Sequence, residues 1–193
     1  MAYEYDCFFS YKRDQESDEW HRTVKKKIQH WLQQELGRSD VSIFFDTEEV
    51  HSGERWQARV ADALRRSKCL VCVWSPPYFQ SRWCVSEWMS FVDREKQVGR
   101  SLIVPASYFD GENFPAVAKT VQTLDFSPFA STMPGFWLTS LAVDFETQRL
   151  RPFAHHMAQA IQNAPPYDDG FPIHFADEGD VQGVKKIGRL ADV

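Results

Sequence analysis

The chain alternates short apolar runs with longer amphipathic segments, and this alternation restricts its fold more than any other feature. The apolar runs are YDCFFSY (5–11), VSIFF (41–45), CLVCVWS (69–75), SLIVPASYF (101–109) and TLDFS (123–127). The segments between them carry apolar residues at helical spacing. Strands that alternate with helices predict an α/β fold with a parallel sheet of about five strands and helices on both faces.

Several element boundaries follow from single residues. Gly37 is predicted to end the first helix, and the helix after the third strand is predicted from about Arg82 to Val98. Pro105 argues that the fourth strand lies at an edge of the sheet or ends early, because proline cannot donate a ladder hydrogen bond. Pro152 is expected to kink or divide the last helix.

Length and composition indicate one globular domain. The chain has 193 residues, of which 43% are hydrophobic and 25% charged. The net charge of −5 gives no overall attraction to nucleic acid or anionic membranes, so neither partner is expected. The N-terminus lacks the apolar core of a secretory signal, which favours a cytoplasmic protein. The Pro-, Gly- and Asp-rich residues 164–193 are expected to be a linker or arm that could lead to a further domain, with the domain itself at 1–163.

The cysteine pattern does not favour a metal or redox site. The segment CLVC has the Cys-x-x-Cys spacing of such a site. It lies in a predicted strand, however, where alternation places Cys69 and Cys72 on opposite faces. Cys7 and Cys84 also lie in or beside apolar runs, so all four are expected to be buried thiols. The chain has no GxGxxG after the first strand and no GxxxxGK[ST], HExxH or GxSxG motif. These absences argue against a Rossmann dinucleotide loop, a P-loop, a metal site of the HExxH type and the usual serine hydrolase.

Ligands of parallel sheets bind beyond the carboxyl ends of the strands. This rule points to three loops, SYKRDQ (10–15), DTEEVHSGE (46–54) and SPPYFQSRW (75–83). In the stretch SRWCVSEWMSF, Glu87 follows Trp83 by four residues, which places both on one side of a helix. A helical projection puts this pair outside the apolar arc, beside Ser86 and Ser90.

Two interpretations of these polar residues remain open from the residues alone. Trp83 could pack over the helix start while Glu87 is simply exposed, or the pair could belong to a site. Likewise, Lys12 and Arg13 are either an ordinary surface pair or cations that meet phosphates.

Three motifs in series resemble the Toll/interleukin-1 receptor (TIR) domain family. They are YDCFFSYKRD, FFDTEEVHSGERW and LVCVWSPPYFQSRWCVSEW, and the resemblance covers about Tyr3 to Asn163. Pro and Gly usage resembles that of bacterial members. The resemblance implies a flavodoxin-like three-layer sandwich and one of two activities. Many TIR domains are adaptors that assemble through the loop after the second strand, whereas others cleave NAD⁺ at the nicotinamide-ribose bond.

The resemblance also implies site residues. Enzymatic members carry a glutamate in the third helix with an aromatic residue one turn before it, which correspond here to Glu87 as the catalytic residue and Trp83. NAD⁺ would be the substrate, with no cofactor and no metal. The other residues implied to bind substrate are Ser10, Tyr11, Lys12, Arg13, Asp46 and Ser75. The residues of the implied assembly loop are Thr47, Glu48, Glu49, Val50, His51, Ser52 and Gly53.

One carboxylate fits this chemistry. Nicotinamide is already a cationic leaving group, so a strong general acid is unnecessary, and a nearby carboxylate stabilises the oxocarbenium-like transition state. A flat indole ring gives a surface on which a base or nicotinamide ring stacks.

The leading hypothesis is a TIR-domain NAD⁺ glycohydrolase that gives nicotinamide and ADP-ribose or a cyclic ADP-ribose. It would be an assembly-activated effector of bacterial antiviral defence or signalling, forming an oligomer or filament and responding to a sensor or activator. The alternative is a non-catalytic module that recruits other TIR domains through the acidic loop at 47–51. A third, weaker hypothesis is a nucleotide-sensing or nucleoside-transferring enzyme of similar fold.

Overall fold

The computed structural model describes residues 2–46 and 54–174. Within them, five strands form one parallel sheet in the order β2-β1-β3-β4-β5. The strands are β1 (Tyr5–Tyr11), β2 (Ile43–Phe44), β3 (Ser67–Trp74), β4 (Ile103–Ser107) and β5 (Leu124–Asp125). The helices are α1 (Asp18–Leu36), α2 (Glu54–Arg65), α3 (Pro76–Gln80), α4 (Arg82–Val98), α5 (Ala116–Lys119), α6 (Ser140–Phe145) and α7 (Arg151–Gln162). The predicted flavodoxin-like α/β class is therefore confirmed.

Apolar side chains of the described residues form a cluster on each face of the sheet. One cluster joins alternate strand residues such as Phe9 and Cys69 to α1 and α7. The other joins Phe8 and Cys72 to α2, α3 and α4. Because successive strand residues point to opposite faces, the strands are apolar on both sides. Cys69 and Cys72 face opposite clusters, as predicted.

Local signals set several boundaries correctly. Gly37 adopts φ 63°, a left-handed conformation that suits glycine, and ends α1. Helix α4 spans the predicted residues. Pro152 lies in the first turn of α7, directly after a π-helical turn at Glu146–Leu150. A proline inside an α-helix clashes with the backbone carbonyl four residues before it. The π-helical turn has a different hydrogen-bonding pattern at those residues and separates α6 from α7.

The expectation for Pro105 is wrong. Strand β4 lies between β3 and β5, and it continues beyond Pro105 to Ser107. Pro105 pairs in register with Cys72 on one side, whereas β5 pairs with β4 only from Ala106 onward. Since no residue of β5 stands opposite Pro105, the missing N–H costs no ladder hydrogen bond there.

The helical projection places Ser86 and Ser90 outside the apolar arc of α4, beside Glu87. Both serines are buried. Ser90 Oγ donates to the carbonyl of Ser86 and accepts the backbone N–H of His174 at 2.8 Å. The segment before His174 therefore covers this side of α4, which sequence periodicity within the helix could not indicate.

The first residues of the predicted C-terminal arm contact the domain. The hydroxyl of Tyr3 donates to the carbonyl of Pro165, and Phe171 is only 3% exposed. The Phe171 ring centroid lies 4.3 Å from the guanidinium of the buried Arg94. Residues 164–174 thus pack against α4 and the start of the chain, and residues 175–193 lie outside the described residues.

In the described ranges, every helix is too short or too polar to cross a bilayer.

Candidate active site

A cavity of about 120 Å³ lies at the carboxyl end of β1, beside the start of α4. Ser10 is an even-numbered residue of β1 and so faces the side of the sheet that α4 covers. Ser81 caps α4 by accepting the N–H of Cys84, which places Glu87 in the second turn. The lining residues are Phe8, Phe9, Ser10, Tyr11, Lys12, Arg13, Asp46, Trp56, Ser81, Trp83, Cys84 and Glu87.

Two hydroxyl groups in series hold the Glu87 carboxyl in place through hydrogen bonds. Ser10 Oγ donates to Glu87 Oε2 at 2.6 Å, and the hydroxyl of Tyr78 lies 2.8 Å from Ser10 Oγ. Ser10 has one hydroxyl proton, so Tyr78 is the donor to Ser10 when Ser10 donates to Glu87. Tyr78 is fully buried, and this arrangement fixes the position of the carboxyl in the cavity.

Burial raises the pKa of Glu87 to about 8, while the hydrogen bond from Ser10 lowers it and the negative charge of Asp46 raises it further. At neutral pH the carboxyl is therefore largely protonated. A cation beside it would favour the carboxylate, because opposite charges stabilise each other strongly where water is excluded. The site is thus suited to a positively charged group that develops next to Glu87.

Two tryptophans form one wall of this cavity. The rings of Trp56 and Trp83 meet edge to face, with centroids 4.7 Å apart. Asp46 fixes this wall, since one carboxylate oxygen accepts the indole N–H of Trp56 at 2.9 Å and the other accepts Arg59 at 2.7 Å. The guanidinium of Arg13 donates to the backbone carbonyl of Asp46. Because the two ring planes are nearly perpendicular, a ligand ring would stack on the face of one indole at a time.

The structure brings most of the predicted site residues together. Ser10, Lys12, Arg13, Asp46 and Trp83 all line the cavity of Glu87.

Tyr11 and Ser75 are placed differently. Tyr11 contributes to the lining, but its ring stacks on Phe45 and its hydroxyl donates to Asp18 at 3.0 Å. Ser75 lines a neighbouring cavity, where its hydroxyl accepts the N–H of Tyr78 and caps α3. The predicted assembly loop, 47–53, lies outside the described residues.

Sequence reasoning missed Tyr78 and Trp56. Tyr78 lies in the loop after β3 that the strand-end rule selected, so its position was a usable signal. Trp56 has helical spacing with the apolar Val60, and this spacing gives no sign of a polar contact. It is in fact only partly buried, and its N–H contacts the carboxylate of Asp46.

This chain is similar in sequence to one protein family and to a curated relative. A family model described as TIR domain matches residues 8–133. A probable 2′ cyclic ADP-D-ribose synthase from Brachypodium distachyon is 28% identical over 80 residues, which are 40% of this chain and 36% of that protein. The match therefore spans little more than a third of the relative's length.

Two solved structures are similar at low identity. The TIR domain of the Toll-related receptor TRR-2 from Hydra magnipapillata is 21% identical, with 72% of this chain and 97% of that one covered and a TM-score of 0.46. The TIR domains of the activated Roq1 resistosome, which directly recognises the pathogen effector XopQ, are 17% identical, with 97% of each chain covered and a TM-score of 0.42.

Proposed function

This chain belongs to the TIR domain family, and from that premise we propose that it cleaves NAD⁺ at the bond between nicotinamide and ribose. The observation that carries the proposal is the position of Glu87 at the carboxyl end of β1. Its carboxyl accepts a hydrogen bond from Ser10 and shares a cavity with Trp56 and Trp83. The Brachypodium relative is by its name a synthase of 2′ cyclic ADP-D-ribose, which supports chemistry at an ADP-ribosyl group.

The reaction needs one well-placed carboxylate. As the C–N bond breaks, its electron pair passes to the nicotinamide nitrogen, and the ribose keeps the positive charge. The Glu87 carboxylate stabilises this oxocarbenium-like group because the carboxyl is buried, and charges interact strongly away from bulk water. A water then adds to the anomeric carbon and releases a proton, giving ADP-ribose. If a hydroxyl of the substrate attacks instead, a cyclic ADP-ribose forms.

The aromatic wall and the cations complete the binding site. The rings of Trp83 and Trp56 provide aromatic surface against which the nicotinamide ring stacks. Lys12 and Arg13 follow β1 at the same cavity and supply positive charge for ribose hydroxyls or phosphate.

The proposal extends to regulation. The chain would act in the cytoplasm as an effector of bacterial antiviral defence or signalling. It would self-associate through the loop at 47–53 and respond to a sensor or activator. Because catalysis would then depend on assembly, activity per molecule should rise with protein concentration.

A measurement of NAD⁺ turnover tests the proposal. Concentrated wild-type protein should release nicotinamide, and Glu87→Gln should reduce the rate at least a hundredfold because a neutral amide cannot stabilise the cation. Asp93→Asn is a matched control, since Asp93 lies on the same helix and pairs with Lys96 outside the cavity. Chromatography of the products separates hydrolysis, cyclisation and base exchange. Equal turnover by the wild type and Glu87→Gln would contradict the proposal.

A non-catalytic interaction module is the second candidate function. Exposed apolar side chains between β5 and α7 favour it, because such side chains often mark contact surfaces. Leu138 is 92% exposed and Met133 is 70% exposed. For this function, Glu87→Gln would leave partner binding intact, whereas substitutions at Leu138 or in the loop at 47–51 would abolish it.

A further inference from the structure

A second cavity of about 270 Å³ lies where the carboxyl ends of β1, β3 and β4 meet. Strand β2 lies on one side of β1, whereas β3, β4 and β5 follow on the other side. The direction in which strands are added to the sheet therefore reverses between β1 and β3. Ligands of doubly wound sheets bind at this reversal. The lining residues are Lys12, Asp14, Ser17, His21, Ser75, Pro76, Pro77, Tyr108 and Phe109.

Lys12 lies beside both cavities, since it lines the second cavity as well as the cavity of Glu87. Its side chain is exposed, and within residues 2–46 and 54–174 it has neither a hydrogen bond nor an ion pair. Each cavity alone is smaller than the roughly 300–1,000 Å³ of usual small-molecule sites, whereas the two together reach that range. A ligand that extended over both cavities would pass Lys12.

The walls of the second cavity suit a flat ring. Phe109 is 51% exposed, and it lines the cavity together with Tyr108, Pro76 and Pro77. Exposed aromatic side chains can stack on any nucleobase, because every base has a flat π-face.

His21 adds a hydrogen-bond acceptor to this cavity. It is buried, and its Nδ1 donates to the carbonyl of Ser17 at 2.8 Å. Burial lowers the pKa of His21 to about 4, so the ring is neutral and Nε2 is an acceptor. Nε2 has no hydrogen-bond partner in the described part of the chain. A ring that carries an amino group would supply the missing donor.

We propose that the second cavity binds the adenosine half of the dinucleotide whose nicotinamide ribose lies at Glu87, with Lys12 at the pyrophosphate between them. The inference rests on the proposed function and deepens it by assigning each half of the substrate to a cavity. It makes Phe109 and Lys12 binding residues for the half of NAD⁺ that does not react.

ADP binding to the full chain tests the assignment, because ADP has the adenosine and the pyrophosphate but no nicotinamide ribose. Calorimetry should detect binding to the wild type, and Phe109→Ala should weaken it about tenfold through lost stacking. Lys12→Gln should weaken ADP binding but not adenosine binding, because only ADP carries phosphate. Trp83→Ala should leave ADP binding unchanged, since Trp83 lines the other cavity.

Leu138→Ala is the matched control, as Leu138 is an exposed apolar residue outside both cavities. The assignment is overturned if millimolar ADP does not bind the wild type, or if Phe109→Ala binds it as well as the wild type does. Loss of ADP binding in Trp83→Ala but not in Phe109→Ala would place the adenosine on the tryptophan wall instead. Circular dichroism and thermal melting establish that each variant is folded.

Kinetics with two substrates separate this inference from the proposed function. Phe109→Ala should raise KM for NAD⁺ severalfold and leave kcat/KM for nicotinamide mononucleotide unchanged, because the mononucleotide lacks adenosine. Equal effects on both substrates would overturn the inference. ADP binding that depends on Phe109, without any NAD⁺ cleavage by the assembled wild type, would refute the proposed function and leave the adenosine site standing.

Discussion

The Ser10 hydroxyl controls how Glu87 responds to pH. Burial raises the pKa of Glu87 to about 8, and the hydrogen bond from Ser10 counteracts this rise. If the carboxylate is the active form, kcat/KM for NAD⁺ should fall as the pH decreases below about 8. Ser10→Ala removes the hydrogen bond that favours the carboxylate, so the fall should begin at a higher pH. The variant should therefore lose more activity at pH 7 than at pH 9.

A second serine provides the control for this pH profile. Ser90 is buried on the same helix as Glu87, but its hydroxyl contacts the carbonyl of Ser86 and the N–H of His174. Ser90→Ala should keep the wild-type profile. A profile that is flat between pH 6 and pH 9 in the wild type, or identical in Ser10→Ala, would show that the titration of Glu87 does not govern the rate.

At the scale of elements, Arg94 joins α2, β3 and α4 to the C-terminal segment. Its guanidinium donates to the carbonyls of Leu64 and Ser67, both at 2.9 Å. It also lies between two aromatic rings, with centroid distances of 4.0 Å to Phe91 and 4.3 Å to Phe171. Since burial lowers the pKa of Arg94 to about 10, the charge depends on these contacts for compensation.

Phe171→Ala should destabilise the domain, although Phe171 lies beyond the predicted domain boundary at 163. Its side chain is 3% exposed, so truncation removes a buried ring and uncovers the buried cation. We expect the free energy of unfolding to fall by about 3 kcal/mol. Urea unfolding followed by circular dichroism measures this loss.

Phe109→Ala is the matched control for stability, because it removes the same atoms from a ring that is 51% exposed. Its free energy of unfolding should change by no more than about 0.5 kcal/mol. If Phe171→Ala were equally harmless, residues 164–174 would be a dispensable arm and the domain would end near Asn163.

For the molecule as a whole, the two apolar clusters protect all four cysteines. Cys7, Cys69, Cys72 and Cys84 are buried free thiols. Burial raises the pKa of Cys84 to about 12 and that of Cys72 well above its usual value. Because the thiolate is the reactive form, none of them should react with a thiol reagent at pH 8 while the chain is folded. All four should react after denaturation.

The absorbance of the chromophore that a disulfide reagent releases measures the number of reactive thiols in the folded and in the denatured protein. The folded protein should give no fast phase, and the denatured protein should give one equivalent for each cysteine. A fast phase in the folded protein would mean that at least one thiol is accessible, against the packing of both clusters. Mass spectrometry of the labelled peptides would identify it.

Sequence patterns with a short range predicted local structure well. The helix from Arg82 to Val98 and the end of α1 at Gly37 depend on residues within a few positions of each other. The pairing of Trp83 with Glu87 also depends only on helical spacing, and both residues line the same cavity. By contrast, the position of Ser90 outside the apolar arc does not predict its burial, because a segment more than eighty residues away covers it.

The sequence by itself determined the alternation of strands and helices, the parallel sheet and the side of α4 on which Glu87 lies. Only the tertiary structure decided which groups meet that carboxyl. Ser10 and Glu87 are 77 residues apart, and Ser10 and Tyr78 are 68 apart. Such contacts depend on how the sheet and helices pack, whereas periodicity reports only the face that each residue occupies. The position of Lys12 beside two cavities is likewise a property of packed elements, because it requires the ends of several strands to be in place.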